Sequence, residues 1–242
     1  MSRPPVPLVI AHRGASGTLP ENTLPAYELA VEQRADMIEV DLHRTRDGAI
    51  VVAHDAELDR LGAEGQIADL SLAEIKTLDA GHGTDHPERV PTLDEVLDGF
   101  GEAIPFNLEI KWGEAGDYPG IEEAALEALA DRDLLSRTQF SSFRDSILRR
   151  LRDASPEARL AVLFDPRQPE RIFERAQALA AEAINPHFVL VDTDLVARAH
   201  DAGLAVYAYT VDEADQMGRL IDLGVDGLFT NRPDRMRTLV GG

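Results

Sequence analysis

The chain has 242 residues, of which 44% are hydrophobic and 28% are charged, a composition typical of a globular protein with a substantial core. Its 44 acidic and 24 basic residues give a formal net charge of −20, which repels the phosphates of nucleic acids and anionic membranes at long range and argues against nucleic-acid partners and stable membrane association. The absence of cysteine excludes disulfides, thiol nucleophiles and zinc–thiolate sites.

Targeting and membrane segments are also not indicated by the sequence. The apolar run within MSRPPVPLVIAHRG is too short for the core of a signal peptide. No other stretch approaches the roughly 20 apolar residues of a transmembrane helix. We therefore expect a cytoplasmic protein, and the oligomeric state stays open.

Short apolar runs typical of β-strands alternate with amphipathic helical patterns along the chain. The predicted strands are, in order, PLVIAH, MIEVDL, FNLEIK, TQFSS, RLAVLF, INPHFVLV, AVYAYT and DGLFTN, of which INPHFVLV is the weakest. The predicted helices between them are LPAYELAVEQR, IEEAALEALAD, FRDSILRRLRD, PERIFERAQALAAE, TDLVARAHDAG and DEADQMGRLIDLG. Eight such units with no glycine-rich nucleotide fingerprint favour an α/β fold of the TIM (β/α)8 barrel type over an open doubly wound sheet.

The segment between MIEVDL and FNLEIK is too long for a plain βα unit. It contains an extra predicted strand, IVVAH, and helical patterns at 72–78 and 93–97. We expect a single barrel domain over residues 1–242, with a small insertion after the second barrel strand, at approximately 55–100, on the C-terminal face. Loops on that face carry function in barrel enzymes.

Acidic side chains occupy one face of two predicted strands. Because side chains alternate along a strand, Glu39 and Asp41 share a face of MIEVDL, opposite the apolar residues at 38, 40 and 42. The same alternation places Glu109 and Lys111 together on FNLEIK. If the apolar faces pack against the helices, the three carboxylates point to the barrel axis, where burial without a cation would cost several kcal/mol. Carboxylate oxygens are preferred ligands of Mg²⁺ and Ca²⁺, so the pattern predicts one divalent cation, with both ions left open.

Two histidines and two cations are predicted to lie beside these carboxylates. His12 ends the first predicted strand and His54 ends the extra strand, and barrel active sites are built at C-terminal strand ends. We interpret the two histidines as an acid/base pair. Arg13 offers a fork of donors suited to phosphate, and Lys111 offers a point charge, so both are predicted to bind an anionic substrate.

The other histidines are expected to be non-catalytic; they are His43, His82, His86, His187 and His200. His43 is expected to project from the strand face opposite Asp41. Glu21 and Asn22 are interpreted as helix-entry residues, with Asn22 as a cap and Pro25 in the first turn, although either could also touch the site.

The ordered motifs AHRG, PENT, EVDLHRTRDGAIVVAHD and LEIK resemble those of the glycerophosphodiester phosphodiesterase family. The resemblance extends through LSLAEIKTLDAG, VPTLDEVL, FSSF and GVDGLFTNRPD, nearly end to end. It implies a metal-dependent TIM-barrel enzyme that hydrolyses a small glycerophosphodiester to glycerol 3-phosphate and an alcohol. By position it implies His12 and His54 as the acid/base pair, Glu39, Asp41 and Glu109 as metal ligands, and Arg13 and Lys111 as phosphate-binding cations. Which histidine is the acid, and whether water or a substrate hydroxyl attacks, stay open.

The chain departs from the family pattern near its C-terminal end. YTVD places Tyr209 and Asp212 where the family commonly has Trp and Asn, and Asn231 stands where Asp is common. The insertion also lacks a Thr pair often found after LDR. We expect Tyr209 to line the pocket beside the glycerol or alcohol moiety, which puts the substrate preference in doubt.

Two alternatives to glycerophosphodiester hydrolysis follow from the same site. One is lysophospholipase D or sphingomyelinase D activity, as in the related phospholipase D toxins, although a chain with 5% aromatic residues shows no aromatic membrane-contact patch. The other is a catalytically silent barrel that binds phosphodiesters. All seven expected site positions are filled, which argues against the silent barrel.

Overall fold

A closed parallel barrel forms the centre of the computed structural model, which describes residues 6–167 and 171–241. The strands in chain order are β1 (Leu8–Ala11), β2 (Met37–Arg44), β3 (Ile50–Val52), β4 (Phe106–Ile110), β5 (Thr138–Ser142), β6 (Arg159–Phe164), β7 (Ala183–Pro186), β8 (Ala205–Ala208) and β9 (Gly227–Thr230). Within the described ranges, eight of them pair in parallel in the order β1-β2-β4-β5-β6-β7-β8-β9, and β9 pairs back with β1. The predicted TIM barrel is confirmed.

Helices connect the strands and cover the outside of the barrel. They are α1 (Leu24–Glu32), α2 (Leu72–Ile75), α3 (Leu93–Phe100), α4 (Ile121–Ala130), α5 (Asp145–Ala154), α6 (Ile172–Ala178), α7 (Thr193–Asp201), α8 (Ala214–Leu223) and α9 (Pro233–Val240). The first two residues of the predicted helix PERIFERAQALAAE lie outside the described residues, as do residues 1–5 and 242 of the expected domain. Sequence analysis did not identify α9, because only Pro233 and Met236 of this short helix are buried and its apolar stripe is correspondingly weak.

The hydrophobic core divides according to the alternation of the strands. Ile38, Val40 and Leu42 belong to the large cluster between barrel and helices, whereas Met37, on the other face of β2, belongs to a smaller cluster inside the barrel. Burial of this apolar surface is the main driving force for folding. Because the outward face of β2 packs in this core, Glu39 and Asp41 lie on its inward face.

The long segment after β2 contains one strand, two helices and a small core of its own. β3 pairs antiparallel with β2, with Leu42 opposite Val52. Apolar residues of the segment form a separate buried cluster, consisting of Val51, Ala53, Leu58, Leu61, Ile67, Ile75 and Val90. α3 packs beside α1 and α4 and so takes the position of the helix that leads from β2 to β4. Across residues 6–167 and 171–241, no helix combines the length and the apolar character needed to cross a membrane.

Candidate active site

Strand register brings the three carboxylates together at the C-terminal end of the barrel. Asp41 of β2 lies opposite Glu109 of β4, and Glu39 precedes Asp41 by two residues on the same face. One carboxylate oxygen from each residue lies within 4.8 Å of the others. Glu39, Asp41 and Glu109 are 2%, 0% and 7% exposed. Three acidic groups so close and so buried need cations nearby.

The turn after β1 carries Arg13 and His12 to this cluster. Arg13 and Gly14 both have left-handed backbone, with φ of 58° and 84°. A Cβ at position 14 would lie 2.7 Å from the backbone carbon of Ala26, so glycine is required there on both counts. The turn directs the backbone N–H of Arg13 to Glu39 Oε2 at 2.8 Å. Gly14 thus allows the tight turn that places the Arg13 N–H against Glu39.

Two cations contact the carboxylates directly. Arg13 Nε lies 3.2 Å from Asp41 Oδ2, and the Arg13 guanidinium also donates to Glu21 Oε2 at 2.9 Å. Lys111 Nζ lies 3.0 Å from Asp41 Oδ1 and 2.6 Å from Glu109 Oε1. Asp41 is therefore bracketed by both cations. Two positive charges face three carboxylates within the cluster.

One oxygen of each carboxylate accepts no hydrogen bond: Glu39 Oε1, Asp41 Oδ1 and Glu109 Oε1. Lys111 Nζ forms ion pairs with the latter two, which leaves Glu39 Oε1 without a polar contact. A buried polar atom without a partner is rare in folded proteins and calls for a specific explanation. Hard oxygen donors converging on one point fit Mg²⁺ or Ca²⁺, so the residues present fit a divalent cation.

The protonation of the cluster follows from burial and from the positions of the two cations. Burial, reinforced by Asp41 and Glu109, raises the pKa of Glu39 well above its usual range. Burial acts in the same direction on Asp41, but Lys111 and Arg13 outweigh it and hold the pKa of Asp41 well below its usual range. Burial thus favours the protonated form of Glu39, whereas the two cations favour the ionised form of Asp41. A divalent cation held by the three carboxylates would favour their ionised forms.

His12 lies at the rim of the cluster and is held by Asn231, which follows the neighbouring strand β9. Its Nδ1 is 2.7 Å from Asn231 Oδ1, which also accepts a hydrogen bond from Ser16 Oγ at 2.8 Å. The Asn231 side chain donates to Asp212 Oδ2 at 2.7 Å. Burial, and next the Arg13 charge, lower the pKa of His12 to about 3. Asp212 and Asn231, two of the departures from the family pattern, are thus hydrogen-bonded to each other.

His54 reaches the site from the antiparallel strand β3. β3 runs antiparallel to β2, back toward the barrel, and the N–H of Ala53, the residue after β3, donates to the Asp41 carbonyl at 3.2 Å. This bond anchors the neighbouring His54 beside the carboxylates. Its Nδ1 lies 2.6 Å from Asp55 Oδ1, and Asp55 in turn pairs with Arg60. Burial, and next Lys111, lower the pKa of His54 below its usual range.

Two sequence-based interpretations of neighbouring residues are wrong. His43 follows Asp41 by two residues, so the strand's alternation places both on the inward face, and its buried ring bonds to Tyr118 and to the His54 carbonyl. Asn22 does not cap α1, because Thr23 does so. Asn22 instead donates to Asp41 Oδ2 at 2.9 Å and accepts from the Tyr27 hydroxyl at 2.8 Å. The alternative that Asn22 touches the site is the one observed.

A cavity of about 300 Å³ opens above the carboxylates. Its lining includes His12, Arg13, His54, Lys111, Phe143 and Tyr209. The Tyr209 ring packs edge-on against Phe143, and its hydroxyl donates to the Phe164 carbonyl at 2.9 Å. His187, which is expected from the sequence to be non-catalytic, lines the same cavity, and its ring centroid lies 5.6 Å from that of Tyr209. The cavity adjoins a groove of about 750 Å³ that also contacts His54, Lys111 and Phe143.

Comparison with known proteins gives a consistent result. The profile of the Glycerophosphoryl diester phosphodiesterase family matches residues 12–235. A glycerophosphodiester phosphodiesterase of Caldanaerobacter subterraneus is 37% identical over 238 residues, covering 96% of this chain and 97% of the relative. One from Bacillus subtilis is 36% identical over 248 residues, covering 94% of this chain and 84% of the relative.

Solved structures agree with the sequence matches. A phosphodiesterase of Oleispira antarctica, solved in complex with the product sn-glycerol-3-phosphate, superposes with a TM-score of 0.88 at 32% identity and covers 98% of both chains. A structure from Silicibacter pomeroyi, described as a putative glycerophosphoryl diester phosphodiesterase, gives a TM-score of 0.88 at 29% identity, with 98% of this chain and 95% of that chain covered. The chain therefore belongs to the glycerophosphoryl diester phosphodiesterase family and is an enzyme of that family.

Proposed function

We propose that this enzyme hydrolyses glycerophosphodiesters to glycerol 3-phosphate and an alcohol, with one divalent cation held by Glu39, Asp41 and Glu109. The observation that carries the proposal is the convergence of three buried carboxylates, with one oxygen of each within 4.8 Å of the others, beside two histidines and two basic side chains. The names of the relatives and the product bound in the Oleispira antarctica structure support the same substrate class.

The charged side chains would bind and neutralise the phosphodiester. When bound, the cation would supply Lewis-acid polarisation of a phosphoryl oxygen and stabilise the charge of the transition state. Arg13 and Lys111 line the same cavity and would contact the remaining phosphoryl oxygens, the first as a fork of donors and the second as a point charge. This local positive charge would attract an anionic substrate despite a net charge of −20 for the whole chain.

His12 and His54 would move the two protons of the reaction. Both line the cavity, and each has its Nδ1 engaged by a neighbouring side chain, which leaves Nε2 for chemistry. One imidazole accepts the proton of the attacking hydroxyl group, and the other donates a proton to the leaving alcohol oxygen. Such general acid–base steps contribute about 10²- to 10⁴-fold each. The attacking group is either water or a hydroxyl of the substrate; in the second case a cyclic phosphate forms as the alcohol leaves, and water opens it to glycerol 3-phosphate in a second step.

The two compartments of the site suit the two halves of a glycerophosphodiester. Tyr209 lines the smaller cavity and would pack against the glycerol or alcohol moiety. The adjoining groove, bounded by Trp112 and by Arg144 stacked 4.5 Å over its ring, would receive the remaining group. We further propose that the enzyme is a single barrel domain over residues 1–242 that acts in the cytoplasm. We also propose that it binds neither nucleic acid nor membranes stably, which the net charge of −20 supports.

The test is release of glycerol 3-phosphate from glycerophosphocholine, glycerophosphoethanolamine and glycerophosphoglycerol. Each substrate is assayed with Mg²⁺, with Ca²⁺ and with a chelator, and the His12→Ala variant is purified in parallel to exclude contaminating phosphodiesterases. We expect metal-dependent release that the variant lacks. Turnover of lysophospholipid micelles alone would favour the phospholipase D alternative, and binding without turnover of any substrate would favour the silent barrel.

A further inference from the structure

A chain of hydrogen bonds links His12 to Asp212 through Asn231. Asn231 Oδ1 lies 2.7 Å from His12 Nδ1, and Asn231 Nδ2 donates to Asp212 Oδ2 at 2.7 Å. The other Asp212 oxygen, Oδ1, accepts from the Asn231 backbone N–H at 2.8 Å and from the Thr230 hydroxyl at 3.1 Å. Every polar atom of the Asn231 side chain is therefore engaged.

This arrangement determines which way the Asn231 amide faces. Both Asp212 oxygens accept hydrogen bonds, so the NH₂ group of Asn231 must point to Asp212. Its carbonyl oxygen is then the atom that faces His12 and Ser16. A carbonyl oxygen can only accept, so His12 Nδ1 must carry a proton and Nε2 is the unprotonated nitrogen of the neutral ring.

We propose that Asp212 is a positioning residue for His12: by orienting the Asn231 amide it holds the neutral imidazole in the Nδ1–H tautomer with Nε2 free to accept a proton. The catalytic consequence rests on the proposed function, whereas the tautomer does not. If the amide rotated by half a turn, its NH₂ group would face Nδ1, and the ring would have to carry its proton on Nε2. Proton transfer at Nε2 would then begin from the wrong form.

The same geometry explains why exchanging the two side chains should preserve the arrangement. With Asp212→Asn and Asn231→Asp combined, a carboxylate at 231 accepts from His12 Nδ1 and Ser16, and the amide at 212 donates to it. Asn231→Asp alone instead places a second carboxylate against that of Asp212, at the position where Asn231 Nδ2 now lies 2.7 Å from Asp212 Oδ2. Arg13, Asp41 and Lys111, which also act electrostatically on His12, stay in place in all these variants, and the only charge added next to the ring is the carboxylate at position 231.

The test combines ¹⁵N NMR of histidine-labelled protein with steady-state kinetics in saturating Mg²⁺ or Ca²⁺. Nitrogen shifts and long-range couplings of the His12 ring report the tautomer directly, and His12→Ala assigns the signals. In wild type we expect the Nδ1–H form. In Asp212→Leu we expect mixed or Nε2–H signals and kcat lower by about 10- to 100-fold with KM little changed, as for other residues that orient a reacting group.

The exchange variant and a distant control make the result specific. We expect Asn231→Asp alone to lose activity and the double exchange to recover it to within about threefold of wild type, a coupling that independent sites would not show. Asp192→Leu is the control, because Asp192 is also a carboxylate that accepts a backbone N–H, from Leu195 at 2.8 Å in the first turn of α7, which it caps. It should leave tautomer and kcat unchanged.

Retention of the Nδ1–H signals and of wild-type kcat in Asp212→Leu would overturn the proposal. So would a double exchange no more active than Asn231→Asp alone. If neither the wild type nor any variant hydrolyses a phosphodiester, the proposed function is wrong. The NMR comparison still decides whether Asp212 sets the His12 tautomer.

Discussion

Replacing Lys111 by Met tests whether this cation holds the carboxylate cluster together. Lys111 is 9% exposed, and its Nζ lies 3.0 Å from Asp41 Oδ1 and 2.6 Å from Glu109 Oε1. At an effective dielectric constant of about 20, each attraction is worth about 5 to 6 kcal/mol before the cost of desolvation. Removal also exposes the carboxylates to their mutual repulsion, about 3 kcal/mol for an ionised pair at the 4.8 Å limit.

The net loss is smaller than the sum of these attractions, because desolvation of the ammonium group is no longer required. Deleting one partner of a buried ion pair costs about 3–5 kcal/mol, so we expect the unfolding free energy of the metal-free variant to fall by that amount. For a chain of this size the Tm should fall by about 6–20 °C. Mg²⁺ or Ca²⁺ supplies part of the missing charge, so the cation should raise the Tm of the variant more than that of wild type.

The assay is thermal unfolding followed by circular dichroism, in chelator and in millimolar Mg²⁺ or Ca²⁺. The matched control is Lys76→Met, at the chain's other lysine, whose partner Glu95 is 47% exposed. Loss of that pair and of the bond from Lys76 Nζ to the Val90 carbonyl should cost no more than about 1–2 kcal/mol, without dependence on the divalent cation. Equal losses in the two variants, or equal gains from the cation in wild type and Lys111→Met, would refute the reasoning.

Three further predictions concern the pocket. His12→Ala and His54→Ala should each lower kcat by at least about 10²-fold with unfolding transitions close to wild type; wild-type turnover in both would remove them as the acid/base pair. Burial lowers the pKa of His43 to about 4, so between about pH 4 and pH 6.5 the folded protein binds fewer protons than the unfolded chain, and stability is lost as the pH falls through this window. The unfolding free energy of His43→Gln should therefore fall less than that of wild type between about pH 8 and pH 4, by up to about 3 kcal/mol. An unchanged pH dependence would contradict this. Tyr209→Ala should raise KM by about tenfold for at least one head group while Tyr209→Phe changes it little, measured across the glycerophosphodiester series; uniform KM values would mean that the ring contributes no specificity.

Much of the fold and the carboxylate cluster could be predicted because they depend on local periodicity. An alternation of period two assigns Glu39 and Asp41 to one face of β2, and the apolar residues on the other face can only meet the helices. The same rule, correctly applied, would have placed His43 inward as well. The weak sixth predicted strand is the short β7 followed by a 3₁₀ turn at Phe188–Leu190, so its ambiguity in sequence reflects its structure.

The sequence by itself determined which residue types stand at the ends of which strands, because strand periodicity and motif order are properties of neighbouring residues. Only the tertiary structure decided which of them meet. Closure of the barrel pairs β1 with β9 and thereby joins His12 to Asn231 across 219 residues of chain. The fold also places the Asn22 side chain where it donates a hydrogen bond to Asp41, and places His187 in the lining of the pocket. Such contacts depend on the three-dimensional path of the backbone, and no spacing along the chain encodes them.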